Sequence, residues 1–307
     1  MNGVVFYPSK NNNALNAMPF EPERVNGRVM VNPHYPVVTL PGTRRVWDSG
    51  AFQERDMLNR LEPYQAFQRQ ISADGICMFR SEDYDNPAEA IVTYDMLVGV
   101  DEALVDGKRV KQRGSEETAK PAVYETLRSA EYYSRQRHRI DERTAIAFAA
   151  QGATAKQYCD CVAEILPMMK ANDWLAFGGF CIIGKQPSLK KLFVQTFESV
   201  LLMMKKAGIK RGHVLGVTVA DMVDYAAKTG RAHGIVISND SSGIEVNSIM
   251  GKVFEPERYK LLDNYGENKY ITPWIKVWST EQKYSHYKPC KLAMENIERY
   301  HQWSSSL

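Results

Sequence analysis

The 307-residue chain is predicted to fold as an α/β protein, a (β/α)8 TIM-type barrel with small insertions, on three observations. Short apolar, β-branched runs recur along its whole length, and amphipathic stretches of helical period separate them. Such alternation predicts parallel strands joined by right-handed crossovers. About eight or nine units in a chain of this size suit a closed barrel better than an open sheet. Hydrophobic residues make up 44% and charged residues 24%, ample for a large core and unlike a disordered or collagen-like chain.

Taken in order, the strand candidates are Gly3-Tyr7, Arg45-Trp47, Gly75-Phe79, Met96-Val100, Thr144-Ala150, Trp174-Phe177, His213-Val217, Gly234-Ser238 and Ile271-Val277. Each is a short run rich in residues that suit a pleated, buried surface. Between Ala153 and Asn172 the apolar residues Val162, Ile165, Leu166 and Met169 recur at helical spacing, with Pro167 placed to shorten the helix. From Leu189 to Ala207 the same period carries Leu192, Phe193, Phe197, Val200, Leu201 and Met204. No linker divides the chain, so residues 1–307 are read as one barrel domain ending in a helical segment over about 280–307.

Net charge is +3, mildly basic, which permits a nucleic-acid partner without demanding one. Basic clusters occur at Lys108-Arg113, Arg135-Arg139 and Lys205-Arg211; each could contact phosphate or be a solvated face. No apolar run is long enough to span a membrane, and the N-terminal residues do not read as a secretory signal. Five cysteines do not suggest a disulfide framework, and a reducing cytoplasm is the expected setting. Cys159 and Cys161 fall on different faces of a predicted helix, one buried and one partly exposed.

Barrel enzymes place functional groups just after their strands. Asp48 follows RVW, Asp101 follows MLVGV, Gln151 follows TAIAFAA, Gly178 follows WLAF and Asp240 follows GIVIS closely. Any one acid could simply cap the next helix; together they would converge on one mouth. Asp48 begins a tight turn with small neighbours, leaving room for a planar ligand. Gly178-Gly179 would let backbone groups approach a ligand edge. Gln151 offers an amide, and Asp101-Glu102 offer acceptors, a set suited to a guanine-like heterocycle. Asp240, ringed by hydroxyls and an amide in Ser238-Gly243, could be kept ionised as a nucleophile.

These segments, in this order, resemble the tRNA-guanine transglycosylase superfamily, barrel enzymes that exchange guanine in a polynucleotide for a 7-deazaguanine. The likeness lies in DSGAFQ at Asp48-Gln53, YDMLVGVDE at Tyr94-Glu102, FAAQG at Phe148-Gly152, FGGF at Phe177-Phe180, HVLGV at His213-Val217 and ISNDSS at Ile237-Ser242. It implies that Asp240 attacks C1′ to form a covalent glycosyl-enzyme and that Asp48 handles the proton on the leaving and entering bases. Asp101, Gln151 and the Gly178-Gly179 backbone would read the heterocycle. The implied partners are a nucleic acid and a 7-deazaguanine base of the preQ0 type, and no cofactor is required for the chemistry.

The departures matter. The zinc site of the tRNA enzymes has no clear counterpart: only His286, Cys290 and His301 are candidate ligands, without the family spacing, so no metal is expected and a structural zinc has weak support. The NDSSG segment resembles the branch that modifies DNA, in bacteria and phages, which favours DNA over tRNA and a bacterial or phage-infected cytoplasm. On a duplex the target guanine would have to leave the stack, with Phe52, Phe180, Tyr132 and Tyr133 as stacking candidates or core residues. The same reaction on tRNA and a non-catalytic barrel subunit remain alternatives, and accessory proteins or a homodimer are compatible with the family.

Overall fold

Residues that alternate between two apolar surfaces build the centre of the molecule. The computed structural model describes residues 3–10, 27–34, 43–51, 60–80, 86–98, 100–105, 108–181, 187–241, 243–267, 269–277 and 287–307. The side chains of residues 10, 75–80, 100–105, 108–113, 187, 245 and 287–290 lie outside that description. Eight parallel strands close into a barrel: β1 (Val5–Lys10), β2 (Arg28–Val31), β3 (Arg44–Trp47), β4 (Ala90–Val92), β7 (Ala145–Ala150), β8 (Trp174–Phe177), β9 (Arg211–Val214) and β10 (Val236–Ser241). Each pairs with the next, and β10 closes on β1 with Tyr7 opposite Asp240. The predicted (β/α)8 architecture is the one observed.

Successive side chains on a strand point to opposite faces, and here the two faces form two cores. Inside the barrel, Tyr7, Met30 and Trp174 pack against Ala90, Ala145, Ala147, Ala149 and Ala176, large residues on some strands filling space left by small ones on others. Outside, Phe6, Val31, Trp47, Ile146, Phe148, Leu175, Phe177 and Ile237 pack under the helices. Those helices are α1 (Pro63–Arg80), α2 (Glu116–Arg135), α3 (Ala155–Ile165), α4 (Pro187–Lys206) and α5 (Ala220–His233). Ser115 caps α2 by accepting from the Thr118 amide and Thr154 caps α3 by accepting from Gln157. As Pro167 suggested, α3 stops at Ile165 and a 3₁₀ turn over Leu166–Met168 replaces its last turn. After β10 come α6 (Gly243–Ile249), two small antiparallel ribbons, β11 (Lys252–Phe254) with β14 (Trp274–Lys276) and β12 (Lys260–Leu261) with β13 (Tyr270–Ile271), and then α7 (Tyr287–Ser306). Tyr300 and Trp303 of α7 close a ring cluster with Phe6 and Phe254.

Three strand expectations need correction, and barrel strands went unforeseen. Gly75-Phe79 lies within α1, because the run belongs to a longer helical period that buries Ala66, Phe67, Gln70 and Ala73. Met96-Val100 is not a barrel strand; the barrel uses Ala90–Val92, and Val100 opens a hairpin of β5 (Val100–Val105) and β6 (Lys108–Arg113) off the barrel. Arg28–Val31 is a barrel strand that composition did not single out. Ile271-Val277 supplies parts of the two outer ribbons.

Candidate functional site at the barrel mouth

The inward alternation of the strands delivers a ring of polar side chains. Two residues beyond an inward position on six of the strands, Tyr7 leads to Ser9, Met30 to Asn32, Val46 to Asp48, Ala149 to Gln151, Ala176 to Gly178 and Ser238 to Asp240. These positions stand at the C-terminal ends of the strands, where barrel enzymes carry their chemistry.

Asp240 lies within β10, one residue before its end, and is 8% exposed. Its Oδ2 accepts from Ser9 Oγ at 2.8 Å, and its Oδ1 accepts from the Gly216 amide at 2.9 Å. His213 Nε2 stands 3.1 Å from the same Oδ1, while His213 Nδ1 is 2.8 Å from Ser238 Oγ. The Nε2–H tautomer makes His213 a donor to Asp240, and the single Ser238 hydroxyl proton is shared between Nδ1 and the Gly212 carbonyl, 3.2 Å from Ser238 Oγ. His213 is fully buried, so the imidazole is held between Ser238 and the carboxylate. Three donors therefore orient Asp240.

Asp48 follows β3 and is held differently. Its Oδ1 accepts from the Ser49 amide at 2.8 Å and its Oδ2 from Asn32 Nδ2 at 3.2 Å. Desolvation, followed by the nearby charges of Asp240 and Asp95, pushes its carboxyl up to about 7, against the opposing Ser49 and Gly50 amides. Two carboxylates thus face one mouth, held by different partners. Gln70, buried on α1, fixes the strand end beneath them. Its Nε2 donates to the carbonyls of Asp48 and Val92, each at 2.9 Å, and its Oε1 accepts from Tyr133 Oη at 2.6 Å.

The acid at the end of β4 is Asp95, not Asp101. Asp95 is 3% exposed and accepts from Gln151 Nε2 at 2.5 Å and from Ser49 Oγ at 3.4 Å. Burial raises its pKa, while the Gln151 hydrogen bond and Arg60 oppose the shift. Asp101 falls in β5 of the outer hairpin, and its side chain is outside the described residues. The strand choice caused the displacement. MLVGV is the longer apolar run, but the barrel strand is the three-residue AIV, and the signal for Asp95 was the TYD that follows it.

Gln151 is fully buried, and its Oε1 has no hydrogen-bond partner among the described residues. A buried amide oxygen left without a donor is costly, so this atom is set to accept from a ligand. Gly178 keeps the space open: a Cβ there would lie 2.5 Å from Gln151 Nε2 and 2.9 Å from Asp95 Oδ2. Its N–H, expected to face a ligand, instead donates to the Ala150 carbonyl at 3.2 Å, so Gly178 contributes room. Gly179 turns the chain with φ of 80°, a conformation glycine adopts without strain.

The stacking candidates divide. Phe180 is buried against Phe193 and Tyr158, and Tyr133 is buried against Phe67, so both serve the core. Tyr132 packs edge-on to Phe67. Phe52 and Gln53 lie outside the described residues. Of the basic clusters, Arg137 is committed to buried Asp173, which also accepts from the Ile146 amide at 2.9 Å. Cys161 is buried and Cys159 partly exposed, both as free thiols. His286 and the side chain of Cys290 are outside the described residues; His301 is buried on α7. Among the described residues no group of three His, Cys, Asp or Glu side chains is arranged to hold a metal ion, and no helix is long and apolar enough to cross a membrane.

No protein-family model and no curated protein matches the chain. Among solved structures it is similar to a protein described as a fructose-1,6-biphosphate aldolase from Coccidioides immitis, with a TM-score of 0.42 and 10% identity over 99% of this chain and 90% of that one. A likeness this distant carries no argument about chemistry, and the barrel stands on the strand order of the chain itself.

Proposed function

We propose that the chain is an enzyme, a base-exchange transglycosylase that replaces guanine in DNA with a 7-deazaguanine. The observation that carries this reading is the pair of carboxylates at one mouth, Asp240 oriented by Ser9, Gly216 and His213 and Asp48 pushed up to about 7. Beside them lies a buried acceptor set, Asp95 and Gln151 Oε1, suited to the N–H edge of guanine. The resemblance of the strand-end segments supplies the reaction, and the NDSSG segment favours DNA as the polymer.

In this mechanism the Asp240 carboxylate attacks C1′ of the target nucleotide. The C1′–N9 bond breaks, its electron pair passes to the base, and protonated Asp48 supplies the proton that lets guanine leave neutral. The glycosyl ester on Asp240 is then attacked by N9 of the incoming 7-deazaguanine. The C1′–O bond breaks, the carboxylate is restored, and Asp48 takes the proton released from N9. Two inversions give net retention, as in retaining glycosidases. His213 is a positioning residue: by donating to Oδ1 it holds Asp240 and offsets charge as the carboxylate is regenerated.

The test is incubation of the full chain with duplex DNA and, separately, tRNA, each with candidate 7-deazaguanines, followed by nucleoside mass spectrometry. A deazaguanine deoxynucleoside is expected. Modified ribonucleoside alone would move the reaction to tRNA, and product from neither would count against the exchange reading.

A further inference from the structure

The opposite end of the barrel carries an unassigned site. A cavity of about 160 Å³ opens at the N-terminal ends of the strands, walled by Val5, Trp174 and Val236 and ringed by Arg28, Arg44 and Arg211. All three arginines occupy the first inward position of a strand, so the alternation that sends acids to the mouth sends guanidinium groups here. Among the described residues the carboxylate facing them is Glu89, already bonded to Arg44 and to the Tyr7 hydroxyl. Arg211 lies over the Trp174 ring, 5.2 Å from its centroid. Arg28 is 5% exposed and its Nε has no hydrogen-bond partner among the described residues. A buried guanidinium without an anion is expensive, and bidentate oxyanions match its fork. The field of Arg28 reaches His301, which it and, more strongly, burial hold below the usual histidine range.

We propose that this cavity is a binding site for a small oxyanion, a phosphate or a carboxylate, gripped by Arg28 with Arg211 and Arg44 and backed by the apolar wall of Trp174 and Val236. A site of this size holds a single oxyanion with a small apolar body, not a polymer backbone. It lies at the end of the barrel away from Asp48 and Asp240, so it stands independently of the exchange chemistry.

Equilibrium dialysis of the full chain at low ionic strength, with labelled inorganic phosphate in one arm and labelled benzoate in the other, tests it. At least one probe should bind with one equivalent per chain, weakened at least about tenfold by Arg28→Met and by Arg211→Gln, and unchanged by Asp240→Asn. Binding of phosphate alone assigns a phosphate ligand, and binding of benzoate a carboxylate. If Arg28→Met does not fold, the exposed Arg211→Gln carries the test. Absence of binding by both probes in the millimolar range overturns the proposal, as does affinity that neither arginine substitution changes or that Asp240→Asn abolishes.

Discussion

The two ends of the barrel use one rule to opposite effect. The same inward-pointing rows begin with Arg28, Arg44 and Arg211 at the base and finish with Asn32, Asp48 and, on β9, Leu215 at the mouth. At the base, three guanidinium groups ring the cavity, and among the described residues Glu89 pairs with one of them, Arg44. At the mouth, Asp48, Asp95 and Asp240 crowd together, and the crowding contributes to lifting Asp48 to about 7. Segregating the charges keeps the arginines from neutralising the acids through the apolar barrel interior, so repulsion between carboxylates persists where it is useful. Mutations at the mouth should therefore act on chemistry and pH response, whereas mutations at the base should act on anion binding.

The largest effect should come from Asp240→Asn. An amide is a poor nucleophile and leaving group, so exchange should fall by at least roughly a thousandfold in single-turnover assays while the fold is retained by circular dichroism. Asp48→Asn should cost roughly a hundredfold or more in kcat. Wild-type exchange should lose rate as pH rises through about 7, where the Asp48 proton is lost, and the variant should lack that alkaline limb. A limb that survived the substitution would break the division of roles.

The same carboxyl gives a stability prediction. Its folded pKa exceeds its unfolded value, so its contribution is complete below about pH 4 and is lost as pH rises through about 7. Asp48→Asn should thus be more stable than wild type at pH 8, by about 1–3 kcal/mol in urea unfolding, with the advantage shrinking toward pH 4. Gly178→Ala should raise KM for the base more than it lowers kcat, because its Cβ would displace Gln151 from Asp95. The smallest effects belong to the residues that orient Asp240. His213→Gln should lower kcat by about tenfold with KM little changed, and Ser9→Ala by less, since each removes one of several hydrogen bonds.

Much of this was legible in the chain, for identifiable reasons. Ala145–Ala150 and Trp174–Phe177 are buried on both faces, and continuous apolar runs announce such strands. Arg28–Val31 escaped because it begins with a charge that points into the base cavity. Ala90–Val92 escaped because three residues suffice in a closed barrel, where β3 and β7 supply the pairing on either side. That second miss placed the strand-end acid at Asp101, whereas the acid that follows the barrel strand is Asp95. Asp48, Gln151 and Asp240 were readable because each closes an apolar run. Gln70 and His213 were not, since their roles depend on contacts 22 and 27 residues away in sequence.

The claim that Asp240 is the nucleophile is tested most directly by quenching the enzyme in acid during turnover on a short guanine-containing DNA duplex. Peptide mass spectrometry then locates any nucleotide adduct. A glycosyl ester on the peptide containing Asp240, absent from Asp240→Asn, is the predicted result. An adduct on another residue, or product formed at an undiminished rate by Asp240→Asn, would contradict it.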